Sequence, residues 1–467
     1  MRDKPLSILL FCDDNPNHAS MILDHIDALA SRSRHGVFVF NSLLHPGSEA
    51  LDLDAFDVVV IHYSLYVASD QYLCPLFRRK IREFRGLKIQ FIQDEYRDLD
   101  ALAHEMRYMG IDILFTLLPE TEHGRIWGER LPGVKLLTWI AGYVPDRLIG
   151  RRVPPLRDRP VDVGYRGREM PYWLGALAQD KLRIGQGFLE HAARYGLVCD
   201  ISCREEDRFY GAAWDQFNAR CRTMLGCGSG ATIADADGSC ERAVRAYLRD
   251  HPGARFEEVA EAVLRPWEGN LNLNVISPRL FEAIAARTGL VLFPGDYSGL
   301  LEPDVHYIPL ARDFSNVAEV VDRIRDIPFL EAMTARAYDE VIASGRYSYD
   351  AFVRRFDDIA SRHRKPDHCP IAGRNGLARA RWSLRQTVRT WRHRARNALE
   401  TGQPLRLAFR VRGRRFVWAL PFFSLQRLVL RALQKVRQFN KTRKSWLPRA
   451  LRRDADLLVQ TGPGERA

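Results

Sequence analysis

The stretch Asn270-Leu-Asn-Leu-Asn-Val-Ile-Ser-Pro-Arg-Leu-Phe-Glu-Ala-Ile-Ala-Ala-Arg-Thr-Gly-Leu-Val-Leu-Phe-Pro-Gly-Asp-Tyr-Ser-Gly, closing at Gly299, decides how the chain reads. It packs a strand, a helix and a second strand into a short space. Ser277 suits the N-cap, and Pro278 suits the first helical position, where a missing N–H costs nothing. Gly289 marks the helix end, and Leu290 to Phe293 forms a short apolar strand before a Pro-Gly-Asp turn. A helix that starts just after a parallel strand aims free N–H groups and a partial positive charge at the crevice above the sheet, where phosphates settle. Arg279 adds a planar donor fork suited to a diphosphate. Glu282, one turn on, offers two oxygens to the hydroxyls of a ribose; its bland alternative is an i, i+3 surface pair with Arg279.

Outward from this stretch the chain alternates apolar strand-like runs with amphipathic helical ones, the rhythm of βαβ units. Residues 1–150 are expected to hold strands at Leu6 to Cys12, Val37 to Phe40, Val58 to His62, Lys88 to Ile92, Ile113 to Thr116 and Lys135 to Trp139. Helices such as Met21 to Ser31 and Pro75 to Phe84 lie between them. A proline-bearing stretch, Arg151 to Pro160, reads as a linker. The alternation restarts with a strand at Val161 to Tyr165, a helix from about Asp180 to Tyr195, a strand at Leu197 to Ser202 and a helix near Trp214 to Leu225. Two doubly wound α/β domains follow from this, 1–150 and 160–365, each a parallel sheet covered on both faces.

The run from Ser277 to Ala285, the following Gly-Leu-Val-Leu-Phe-Pro-Gly-Asp-Tyr-Ser-Gly, and His306-Tyr-Ile-Pro-Leu with Asp313-Phe-Ser-Asn resemble the C-terminal signature of group-1, GT4-like glycosyltransferases of GT-B fold, particularly the CgeB-like branch. The resemblance is strongest over residues 160–360 and stops by 370. It implies two Rossmann-like domains facing a cleft, a nucleotide-sugar donor linked to UDP or GDP, and Glu282 gripping the donor ribose. It also implies phosphate-binding basic residues, for which Arg166, Arg168 and Lys181 stand at the first turn of the second half, with Ser277, Arg279, Ser298 and Gly299 in the quoted stretch. Two departures matter. The family's paired-glutamate motif has another Glu eight positions before the ribose-binding one, where this chain has Asn274; and Asp13-Asp14-Asn15-Pro16-Asn17-His18 lacks the family's N-terminal glycine-rich turn.

Candidate catalytic groups sit where strand ends face the crevice of such a sheet: His18, His62, Asp94 and Glu95. Any of them could take the acceptor's hydroxyl proton in an inverting transfer. No Asp-x-Asp motif stands at a credible position for a bound metal, so transfer is expected to need neither metal nor other cofactor.

Eight cysteines without a Cys-x-x-Cys pair suit reduced thiols. The first apolar run is too short for a signal h-region and no run is long enough to span a bilayer, so a cytoplasmic location is expected. The net charge of +12 hides an asymmetry. Residues 371–467 hold 24 Lys+Arg and 4 Asp+Glu; taking these from totals of 70 and 58 leaves 46 and 54 for residues 1–370. An acidic body therefore carries a basic extension. Trp382 and Trp391 among arginines, and the apolar stretch Phe416 to Leu433, suit amphipathic helices lying on the anionic inner face of a membrane. A glycan or lipid-linked acceptor fits such docking. Nucleic acid is the less favoured partner, since no module for it is visible.

Overall fold

The computed structural model describes residues 4–15, 18–43, 51–209, 211–368, 370, 405–411 and 414–420. By compactness Met1–Gln386 forms one unit and Thr387–Ala467 another.

The first lobe runs β1 (Ser7–Cys12), α1 (Ser20–Arg32), β2 (Gly36–Asn41), β3 (Val58–Ile61), α2 (Pro75–Glu83), β4 (Leu87–Phe91), α3 (Leu99–Met109), β5 (Ile113–Thr116), the short α4 (Glu120–His123) and β6 (Lys135–Thr138). All six strands are parallel, in the order β2-β1-β3-β4-β5-β6. Strands such as Val58-Val-Val-Ile61 are buried on both faces, as a sheet covered by helices on either side demands. The order reverses between β1 and β3. That switch point opens a crevice at the strands' C-terminal ends.

The second lobe begins with β7 (Val161–Arg166), α5 (Ala176–Ala192), β8 (Cys199–Ser202), α6 (Ala212–Arg220) and β9 (Cys221–Gly226). It continues through β10 (Ser229–Ala231), α7 (Ser239–Asp250), α8 (Phe256–Val259), β11 (Leu273–Val275), α9 (Pro278–Ala285), β12 (Gly289–Leu292), β13 (Ile308–Pro309), α10 (Val317–Arg325), α11 (Ile327–Ala337) and α12 (Tyr349–Arg362). Its sheet is parallel too, in the order β13-β12-β9-β7-β8, with its switch point between β7 and β9. Two Rossmann-like α/β lobes are thus present, as the sequence implied.

Three local readings change. The helix expected to run through Leu225 stops at Arg220, and residues 221–226 form the central strand β9. A short run buried on both sides has no periodicity that separates helix from strand. The strand before α9 belongs to no parallel sheet: β11 pairs antiparallel with β10. Gly289 does not end α9, which closes at Ala285; Arg287 takes the left-handed turn at φ 53°, and Gly289 opens β12.

The second lobe grips the first in two places. Helix α12 packs in the first lobe's core, with Phe352 against His25 and Tyr143 at 4.6 Å between ring centres. Asp357 accepts from Ser33 Oγ at 2.6 Å and from the Arg34 N–H at 2.8 Å. The insertion carrying α7 and α8 joins the same core, and there Asp235 N–H donates to Tyr96 O (2.9 Å) while Asp100 N–H donates to Ala236 O (3.0 Å).

In the extension, β14 (Leu405–Val411) and β15 (Arg414–Leu420) form an antiparallel pair, so this part is extended and not helical as expected. Trp382, Trp391 and residues 421–433 lie outside the described residues.

Arg159 locks the linker to the second lobe. Fully buried, its guanidinium donates to Pro154 O, Cys221 O, Thr288 Oγ1 and Ala286 O at 2.8–3.1 Å, and burial pulls its pKa down to about 10. Arg159→Met would leave those carbonyls without donors, at a cost of roughly 3 kcal/mol of stability. Urea unfolding followed by tryptophan fluorescence checks this; a loss under about 1 kcal/mol would refute the bracing role.

Candidate functional site

The candidate side chains lie at the C-terminal ends of the two parallel sheets. At the second lobe's crest β7 ends in Arg166-Gly-Arg168, and Lys181 reaches up from α5. Lys181 Nζ lies 3.5 Å from Ser229 Oγ. Its pKa is lowered first by burial, opposed by the nearby Cys227 thiol, and lowered further by Arg168 and Arg279. The charges of Arg168 and Arg279 thus act on Lys181. Arg168 is exposed, while Arg279 donates from Nη1 to Arg166 O at 2.9 Å and lies over the Trp214 ring, 5.0 Å from its centre.

Arg166 itself is excluded from ligand duty. It is 7% exposed and donates to Asp207 O, Tyr165 O, Asp200 O and Asp200 Oδ1, sandwiched by the rings of Phe209 and Phe217. Its charge is spent on bracing the crest. The sequence could not separate it from Arg168, because both follow the same strand.

Helix α9 brings the quoted stretch to this crest. Ser277 takes the N-cap position with extended backbone, but its side chain makes no capping bond; Pro278 opens the helix. Glu282 accepts from Trp214 Nε1 at 2.6 Å. Burial raises its pKa, against the pull of the Trp214 bond and of Arg147. Trp214 was missed from sequence, where a single tryptophan in Gly-Ala-Ala-Trp-Asp carries no signal. Ser298 Oγ accepts from the Ile276 N–H at 3.2 Å, so it braces the entry to α9. Tyr297, Ser298 and exposed Gly299 take successive φ values of 47°, 56° and 69°. That strained turn is pinned by the buried Tyr297 ring, whose hydroxyl donates to Phe293 O. Asn274 is wedged against Gly228, where a Cβ would come within 1.9 Å of Asn274 Oδ1, and that oxygen is buried without a partner.

At the first lobe's crest His18 and Asp13 form a pair, Nε2 to Oδ2 at 2.7 Å, with side chains 32% and 10% exposed. If Nε2–H donates to the carboxylate, Nδ1 is left to accept a proton. Asp13 is oriented in turn: its Oδ1 accepts from Asn41 Nδ2 and from the Asn15 N–H, both at 3.1 Å.

His62 lies beneath this pair and has no surface. The Ser64 N–H donates to His62 Nδ1 (3.0 Å), so His62 Nε2–H donates to His25 Nδ1 (2.9 Å). Burial, then His25 and His18, hold His62 well below its ordinary pKa, and burial takes His25 down to about 3. His62 is thus a neutral core histidine, out of reach of any ligand. Glu95 is also withdrawn, accepting from Thr116 Oγ1, from Leu117 N–H at 2.6 Å and from Trp127 Nε1 at 2.7 Å. Its neighbour Asp94 is exposed and accepts from Tyr96 OH at 3.0 Å.

The start of α9 faces the first lobe. A Cβ on Gly142 would sit 2.9 Å from Pro278 Cγ and 3.3 Å from Met21 Sδ, which brings Pro278 beside the first turn of α1, three residues after His18. Arg147 bridges the same gap: it donates to Asp24 of α1 at 2.5 Å and its field reaches Glu282. Among the described residues no group of three or more His, Cys, Asp or Glu could hold a metal, and no helix is long and apolar enough to cross a membrane.

No protein-family model matches the chain, and its sequence matches no curated protein. Among solved structures it is similar to an alpha-glucosyltransferase in complex with UDP, at 9% identity and a TM-score of 0.47, over 76% of this chain and 100% of that one. It is similar to T4 phage BGT with its UDP-glucose substrate (10%, 0.44, 77% and 100%) and to sucrose-phosphate synthase from Thermosynechococcus elongatus (13%, 0.42, 76% and 98%).

Glu95 yields a pH signature. Burial, outweighing its hydrogen-bond donors, lifts its pKa from an ordinary 4.5 to about 7. A folded value above the unfolded one stabilises the fold fully below the ordinary value and is lost as pH rises through the folded one. Between pH 5 and 8 the wild type should lose roughly 2–3 kcal/mol more stability than Glu95→Gln. Parallel pH profiles in the two proteins would refute the shift.

Proposed function

We propose that the chain is a GT-B glycosyltransferase that takes its sugar from a nucleoside-diphosphate donor, UDP- or GDP-linked, held at the second crest. The gathering of Lys181, Arg168 and Arg279 at that switch point, beside the start of α9, carries the reading. A diphosphate is the ligand that several cations and a helix start accept together. Glu282, one turn deeper, keeps one oxygen on Trp214 and has the other for a ribose hydroxyl. The resemblance of the Phe281-Glu-Ala segment to group-1, GT4-like enzymes supports the same assignment, with the CgeB-like branch as its finer form.

The acceptor hydroxyl attacks the anomeric carbon as the bond to the diphosphate breaks, and Lys181, Arg168 and Arg279 neutralise the departing charge. His18 Nδ1 takes the hydroxyl proton while Asp13 steadies the imidazolium. A base on the acceptor side corresponds to inversion. These cations do the work a metal would do, so transfer is proposed to be metal-independent. A glycan or lipid-linked acceptor in surface polysaccharide or glycolipid assembly is the finer reading, with the basic extension resting on an anionic membrane from the cytoplasmic side. The rival is a non-catalytic binder of the same ligand, and the wedged Asn274 favours it.

Calorimetry with UDP and GDP tests the donor site. Lys181→Ala should weaken the nucleotide that binds by roughly tenfold or more; no binding of either nucleotide at millimolar concentration would end the proposal. His18→Asn should slow release of UDP from a UDP-sugar by about 10²–10⁴-fold with nucleotide affinity intact, and EDTA should change neither. Binding with no turnover against any acceptor extract would establish the rival.

A further inference from the structure

A cavity of about 160 Å³ opens at the crest between β3 and β4, one strand over from the His18–Asp13 pair. Ser64 belongs to both places: it lines the cavity, and its Oγ accepts from the Asp13 N–H at 2.8 Å. Gln90, 2% exposed, lines the cavity with Oε1 buried and without a protein partner. A buried polar atom left unmet is costly and calls for a partner.

The remaining walls say what that partner is. Tyr66 and Tyr72 supply aromatic surface, with the Tyr66 hydroxyl already tied to Asp98 Oδ2 at 2.6 Å, and Asp94 supplies an exposed carboxylate at the rim. None of the lining residues is cationic, and Asp94 repels anions. A phosphate, a sugar acid or a phospholipid headgroup is therefore disfavoured. The ligand must offer hydroxyl donors to Gln90 and Asp94 and an apolar C–H face to the tyrosines. A neutral pyranose has both. The volume falls below the roughly 300–1,000 Å³ of sites for larger ligands, which fits one ring.

We propose that this cavity seats a single uncharged sugar residue of the acceptor, with Gln90 and Asp94 reading its hydroxyls and Tyr66 its apolar face. The inference rests on the transferase reading above and narrows its acceptor to one that ends in a neutral sugar, presented beside His18.

Saturation-transfer NMR on the full chain, with UDP present, tests it using methyl glycosides of glucose, galactose, mannose and N-acetylglucosamine, and glucose 6-phosphate as the anionic control. At least one neutral glycoside should bind, the phosphate should not, and Gln90→Leu and the surface substitution Asp94→Ala should each weaken that glycoside at least tenfold. UDP affinity should stay within twofold in both variants. UDP binding with no glycoside binding would overturn the proposal, as would equal binding of the phosphate or indifference to both substitutions. Glycoside binding that persists where UDP fails to bind would uphold the cavity and count against the donor site instead.

Discussion

Like charges resist being brought together, and the second lobe holds Lys181, Arg168 and Arg279 at one crest all the same. Burial and mutual repulsion both push on the Lys181 ammonium. Such an arrangement persists only where the surrounding scaffold over-determines it. Arg166 supplies much of that scaffold, with four hydrogen bonds beneath the crest and two aromatic rings around its guanidinium. Its own carbonyl holds Arg279, and the Tyr165 hydroxyl donates to Lys181 O at 2.7 Å. One arginine is consumed to position others.

The first lobe uses the opposite economy of charge. Its interior holds a neutral histidine pair and a carboxyl lifted toward neutrality by burial. Asp13, with three hydrogen bonds to its carboxylate, fixes the orientation of His18, while Asp94 stands in the open. The two crests are kept in mutual reach by α12 and by the α7–α8 insertion, both donated to the first lobe's core from beyond the linker. A second lobe reading of residues 160–365 by chain order alone misses this, because core membership follows contact and not sequence.

How much of this was written in the chain depends on how local the signal is. Strand runs such as Val58 to Ile61, the proline-rich linker and the Ser277-Pro278 helix start are local, and the two parallel sheets followed from them. Lys181, Arg168, Arg279 and Glu282 could be placed because each lies next to a strand end or helix start whose position could be read. The central strand β9 was not, since a stretch buried on both faces shows neither helical nor alternating periodicity.

By itself the amino-acid sequence determined the α/β class, the alternation that builds two lobes, the contrast between an acidic body and a basic extension, and the candidates clustered at strand ends. Only the tertiary structure decided which candidates meet solvent. It withdrew Arg166, His62 and Glu95 into the interior, paired His18 with Asp13, set Trp214 on Glu282 and left Gln90 unmet in its cavity. The physical reason is that burial and partnership are properties of contacts between residues far apart in the chain, and no local pattern of residue types encodes which side of a crest a charge will face.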